Sequence, residues 1–230
     1  MTTPRPGPPS RWATAGEAFS GLEVLRLAAK TPALWSIPRG DDGPVILTPG
    51  LGATDRSLYP LRQFLRDKGH HARSAGFGRI HANVPELAAQ LIDRTARLAD
   101  ERGRKVSLIG WSIGGVLSRE TARQLPEFVE RVITFGTPVT GGPAHTALGR
   151  RYTDEELLQI EAMGRLRRQI PIDVPITAIW SRRDGVVAPF ACIDDGSRDV
   201  ENIEVSSTHL GMGLDPDVWA IIARRLAGIK

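Results

Sequence analysis

Three side chains, in the order Ser112, Asp184 and His209, could together carry nucleophilic chemistry at a carbonyl. A serine hydroxyl is a weak nucleophile at neutral pH and needs an adjacent base to take its proton. Histidine is the usual base, held in one tautomer by a buried carboxylate. Ser112 lies in Gly110-Trp111-Ser112-Ile113-Gly114, a Gly-x-Ser-x-Gly pattern. That pattern is short enough to arise by chance in a chain with 24 glycines, so its surroundings must carry the argument. Residues 105–109 are apolar and partly β-branched, as in a buried strand, and residues 115–125 read as a helix. Between a strand and a helix, the pattern becomes a sharp turn that lifts the serine hydroxyl clear of the sheet.

The other two members follow later strands. Asp184 comes after the apolar run 176–180, and His209 after the shorter run 203–205. Side chains at the carboxyl ends of parallel strands converge on one sheet edge, where open α/β sheets bind ligands. Developing negative charge on a carbonyl oxygen also needs preorganised donors. The backbone N–H of Ile113, next to the serine at a helix start, is one candidate. The second is the N–H of Leu51, in the glycine-flanked loop Pro49-Gly50-Leu51-Gly52 after the strand at 45–47.

The positioning elements alternate along the chain. The spacing predicts helices over 17–30, ending before Thr31-Pro32, and over 58–68, closed by Gly69. A strongly amphipathic helix begins at Val84, with Asn83 as its N-cap and Pro85 in its first turn. A last helix covers 216–226. Strands are expected at 45–47, 71–75, 105–109, 132–135, 176–180 and 203–205. Such alternation argues for an α/β fold: a mostly parallel sheet with helices on both faces, joined by right-handed crossovers. Residues 1–15 are proline-rich and are expected to form a disordered tail, leaving 16–230 as one domain. Residues 139–174 exceed what one crossover needs. With Leu157, Ile160, Met163 and Leu166 on one helical face, they are expected to form a small cap over the carboxyl edge.

Composition bounds the function class. Hydrophobic residues make up 41% and charged residues 24% of 230 residues, which suits one domain with a sizeable core. The formal net charge of +4 comes from scattered arginines, without a basic face interleaved with aromatics, so nucleic acid is not an expected partner. The densest cluster, Arg165, Arg167 and Arg168, reads as a solvated helix face. A single cysteine, Cys192, excludes an internal disulfide. No apolar run reaches the length of a membrane helix, and the N-terminus lacks a signal-peptide core, so a cytoplasmic protein without membrane insertion is expected. No histidine pair has metal-ligand spacing, and neither metal nor cofactor is expected. His70 and His71, before a strand, read as structural or exposed, whereas His81 and His145 lie in loops that could border the pocket.

At this point the chain resembles the α/β-hydrolase family, in its small bacterial lipase and esterase branch. The resemblance rests on Pro49-Gly50-Leu51-Gly52, Gly110-Trp111-Ser112-Ile113-Gly114-Gly115, Phe135-Gly136-Thr137-Pro138, Asp184-Gly185-Val186-Val187 and Ser207-Thr208-His209, spread over residues 45–226. It implies Ser112 as nucleophile, His209 as base and Asp184 as the acid that orients it. It also implies oxyanion donors at Leu51 and Ile113, and a small-molecule or lipid-like ester as substrate. Two departures stand out. Pro49-Gly50 replaces the His-Gly of many members, and the first two strands of the family are not evident, which leaves a sheet of about six strands. Alternative acids are Asp194 and Asp195; Asp173 precedes its strand and would stand at the wrong edge. Trp111, Val139, Leu157 and Met163 are the candidate pocket residues, although Trp111 also reads as packing. The same three residues would serve an acyltransferase or a thioesterase. Loss of one of them would mark a non-catalytic binding protein, and none is lost.

Overall fold

The computed structural model describes residues 7–81 and 83–229. Six strands form one all-parallel sheet: β1 (Pro44–Thr48), β2 (His71–Ser74), β3 (Val106–Trp111), β4 (Val129–Phe135), β5 (Ile176–Trp180) and β6 (Val200–Glu204). Their order across the sheet is β2-β1-β3-β4-β5-β6. The direction of winding therefore reverses between β1 and β3, and the loops leaving these two strands flank the crevice where such sheets bind ligands.

The period of two along the strands explains how both faces are covered. Val45, Leu47, Ile109, Ile133 and Ile179 join one apolar cluster, while Ile46, Leu108, Val132 and Ile176 join another. The first cluster packs under α2 (Leu22–Trp35), α3 (Tyr59–Asp67) and α8 (Pro216–Leu226). The second packs under α4 (Val84–Arg102) and α5 (Ile113–Gln124). Sequence signals set several ends. Asn83 accepts from the Glu86 N–H at the start of α4, Gly103 closes that helix at φ 60°, and Gly69 follows α3 at φ 90°.

Two expectations are corrected. The chain is helical already at α1 (Arg11–Gly16), inside the stretch expected to be disordered; residues 1–6 of that stretch lie outside the described residues. Ser10 caps α1 by accepting from Ala13, and Thr14 holds it to the body of the protein by donating to the Gly185 carbonyl at 2.8 Å. Second, the helix expected over 17–30 is α2, which runs through Thr31-Pro32 to Trp35. A proline inside a helix costs about 3 kcal/mol relative to alanine. Here Ala28, whose carbonyl loses its donor, is exposed and can be hydrated, while Leu34 beyond the proline is buried in the core. Phe19, Leu22 and Leu25 are exposed.

Residues 139–174 hold two short 3-10 turns and α6 (Asp154–Arg168), which Thr153 and Glu156 start with a reciprocal capping box. Among the described residues, no helix is long and apolar enough to cross a membrane.

Candidate active site

Ser112 sits between β3 and α5 at φ 55° and ψ −123°, a conformation that costs a non-glycine residue about 1–3 kcal/mol. The surroundings hold it there. Its N–H donates to the Phe135 carbonyl at 2.9 Å, and its own carbonyl accepts from Gly115 at 2.9 Å. The flanking glycines are needed for clearance. A Cβ on Gly110 would fall on the Gly115 backbone, and one on Gly114 on the Thr48 carbonyl. Gly50, in the loop after β1, approaches from the other side; a Cβ there would stand 3.4 Å from Ser112 Cβ. The N–H groups of Leu51 and Ile113 have no acceptor among the described residues. They flank the serine from the two loops of the crevice.

Asp184 and His209 meet from the ends of β5 and β6. Asp184 Oδ2 accepts from His209 Nδ1 at 2.8 Å, with the carboxylate fully buried and the imidazole nearly so. The other oxygen, Oδ1, accepts from Val186 at 2.9 Å and Val187 at 2.7 Å, which aims the carboxylate. With the Nδ1–H donated to Asp184, Nε2 is the basic nitrogen. Ser112 Oγ and His209 Nε2 make no hydrogen bond among the described residues, so both are uncommitted. The rings of Trp111 and His209 lie 5.8 Å apart, and Trp111 also stacks on Phe135. Gly136 passes beneath the pair at φ 56°, where a Cβ would stand 2.8 Å from His209 Nδ1 and 3.2 Å from Asp184 Oδ2.

The competing acids are used elsewhere. Asp194 is buried in an ion pair with Arg119 at 2.7 Å and accepts from Gly196 and Ser197. Burial pushes its pKa up, but the Arg119 guanidinium and these hydrogen bonds outweigh burial and hold it below the ordinary carboxylate value. Asp173 pairs with Arg198 at the surface, and Asp195 is exposed. His145 packs edge-on against Phe190 at 4.8 Å. Burial lowers the pKa of His70 and raises that of Cys192 well above the ordinary thiol value, so neither is poised as a charged group.

No protein-family model matches the chain. Solved structures do resemble it. One of the metagenome-derived lipolytic enzymes LipS and LipT superposes with a TM-score of 0.65 at 19% identity, over 83% of this chain and 94% of its own. A mature Bacillus licheniformis lipase, BlEst2, gives a TM-score of 0.60 at 15% identity, covering 84% of this chain and 95% of that one. A Paleococcus ferrophilus monoacylglycerol lipase gives 0.59 at 15% identity, covering 84% and 96%. The chain has the α/β-hydrolase fold. At these identities the likeness is one of architecture.

Within this fold a cavity of about 430 Å³ opens beside Ser112. Leu51, Ile113, Val139, Ile160, Met163 and Val187 contribute to a mainly apolar lining, and Arg119, Glu120, Arg123, Arg167 and Arg168 stand in its wall. Several of these charges are paired: Arg123 with Glu120 at 2.8 Å and Arg119 with Asp194. Of the expected pocket residues, Val139 and Met163 line the cavity, whereas Trp111 and Leu157 do not. Trp111 points into the core beneath the site, because successive strand residues face opposite sides of the sheet. Leu157 lies one turn before Ile160, the nearest lining residue of α6. Sequence reasoning missed the N-terminal contacts: Glu17 accepts from the N–H groups of Gly185, His209 and Leu210. Nothing in the local sequence around Glu17 signals a partner so far along the chain.

Proposed function

We propose that the protein is a serine hydrolase acting on carboxylic esters through an acyl-enzyme. The observation that carries this reading is the buried Asp184–His209 hydrogen bond, together with a strained serine that opens on an apolar cavity. Ser112 Oγ attacks the ester carbonyl while His209 Nε2 takes its proton. The carbonyl oxygen, now negative, is met by the Leu51 and Ile113 N–H groups. Collapse breaks the bond to the alcohol, which leaves with the proton from His209. Water then repeats the sequence, deprotonated by His209, and releases the acid and free Ser112. Asp184 keeps the imidazole oriented and stabilises its charged form in both halves. The similarity of fold to lipases and to a monoacylglycerol lipase supports an ester as the substrate class. The volume and apolar lining of the cavity suit the acyl chain of a lipid-like ester.

A fluorophosphonate probe tests the mechanism, followed by turnover of p-nitrophenyl esters from acetate to palmitate. Covalent labelling that disappears in Ser112→Ala, with ester turnover lowered by about a thousandfold or more, is the expected result. A folded Ser112→Ala protein with near-normal turnover would overturn the assignment. Labelling without hydrolysis would move the reading to acyl transfer or to a thioester.

A further inference from the structure

The N-terminal segment lies against the back of the site rather than beside it. Glu17, just after α1, sends one carboxylate oxygen to two loops at once. Its Oε1 accepts from the Gly185 N–H at 2.7 Å and from the His209 N–H at 2.8 Å, while Oε2 accepts from the Leu210 N–H at 2.8 Å. Gly185 directly follows Asp184, so a single oxygen atom bridges the backbone beside the acid to the backbone of the histidine. Two further contacts flank this bridge. Thr14 Oγ1 donates to the Gly185 carbonyl at 2.8 Å, and the Ser20 and Thr208 hydroxyls are 2.8 Å apart. A Cβ on Gly185 would fall on the Ala13 carbonyl, so α1 and the acid loop touch backbone to backbone.

Building on the serine-hydrolase reading, we propose that Glu17 is a positioning residue that clamps the Asp184 loop to the His209 loop and so sets the geometry of their hydrogen bond. The physical reasoning is specific. Both loops leave the sheet beyond its last two strands, and β6 is an edge strand whose residues are all half-buried or exposed. Among the described residues, one side-chain hydrogen bond, Asp184 to His209, joins the two loops directly, besides an exposed ion pair from Arg182 to Glu204 at the end of β6. Hydrogen bonds to a carboxylate are about twice as strong as neutral ones, and three backbone N–H groups converge on that of Glu17, with the Ser20 hydroxyl a longer fourth donor at 3.4 Å. Without that acceptor, the N–H of the buried His209 is left without its partner, and the loop has reason to shift to find another. A misplacement of about 1 Å at a catalytic group can cost about a hundredfold in rate.

The test compares the rate constant for fluorophosphonate labelling of Ser112 in the wild type, Glu17→Ala, Glu17→Gln, Asp184→Asn and the Glu17→Ala/Asp184→Asn pair, with melting temperatures measured alongside. Glu17→Ala is expected to slow labelling about tenfold or more at temperatures where it is fully folded. Glu17→Gln, which keeps one acceptor oxygen, should recover part of that rate. In the Asp184→Asn background the Glu17→Ala change should add less than about twofold, because the geometry it protects is already lost. Wild-type labelling rates in a folded Glu17→Ala protein would overturn the inference, as would full multiplication of the two effects in the pair. Should Glu17→Ala not fold, Glu17→Gln decides alone: a rate several-fold below wild type supports the clamp and an unchanged rate overturns it. A wild-type protein that the probe does not label would instead remove the serine-hydrolase reading, and the clamp with it.

Discussion

At the scale of single residues, the site depends on backbone conformations that other side chains would not allow. Ser112 keeps φ 55° because Phe135 and Gly115 hold its peptide groups on both sides. Gly136 keeps φ 56° with no room for a Cβ beneath the imidazole. Gly136→Ala is therefore expected to displace the Asp184–His209 pair and lower kcat by about a hundredfold. A crystal structure of the variant should show His209 moved, and an undisturbed pair with normal kcat would refute the role given to this glycine. Asp184→Asn removes the acceptor that sets the tautomer and should lower kcat by about 10³–10⁴-fold with little change in KM. Steady-state kinetics on one p-nitrophenyl ester check this; a mild effect would return the acid role to another carboxylate, although Asp194 is already committed to Arg119.

At the scale of elements, α6 is the least embedded helix around the cavity. None of its residues is buried, yet Ile160, Gly164 and Arg167 face the cavity at spacings of three and four. It forms one wall with the turn at Gly142–His145, where a Cβ on Gly142 would stand 3.2 Å from Ile160 Cγ2. We expect this wall to control acyl length. Ile160→Trp should lower kcat/KM for a decanoate ester by about tenfold or more and leave acetate within about twofold, since one methylene in an apolar pocket is worth about 1–3 kcal/mol. Equal losses on both esters would place the effect on the chemistry instead. Helix α5 contrasts with α6: it is buried along most of its length and joins the serine to the core through Leu117.

At the scale of the whole molecule, distant segments are tied together around the site. Arg119 of α5 and Asp194, beyond the short helix α7 (Pro189–Cys192), form a pair in which both side chains are less than a tenth exposed. Removing one partner of such a pair leaves a buried charge and costs about 3–5 kcal/mol. Asp194→Asn should accordingly lower the melting temperature by on the order of 10 °C at neutral pH. Because the folded-state pKa of Asp194 lies below its ordinary 3.8, this contribution is fully present above that value and is lost as pH falls through the folded-state pKa. Melting curves of both proteins from neutral pH down to the acid limit should show a constant gap that closes only at the acid end. A gap that closes near neutral pH would refute the assignment.

Local signals were enough for the elements that punctuate the chain clearly. Asn83, Gly69 and Gly103 mark helix ends, and near-continuous apolar runs mark strands covered on two faces. The order Ser112, Asp184, His209 was equally readable, because each follows a strand and parallel strands deliver their ends to one edge. Those are properties of neighbours in sequence, whose geometry is set by the backbone itself. Other features depend on contacts between remote residues, and no periodicity records them. Which acid reaches the histidine was settled by the approach of Asp184 Oδ2 to Nδ1 and the diversion of Asp194 to Arg119. The passage of α2 through Pro32, the burial of Trp111 away from the cavity and the return of Glu17 to the histidine loop were likewise decided only by packing. Residue order carried the reading of the chemistry; only the tertiary structure decided that Asp184 and not Asp194 lies against His209, because that contact joins residues remote in sequence.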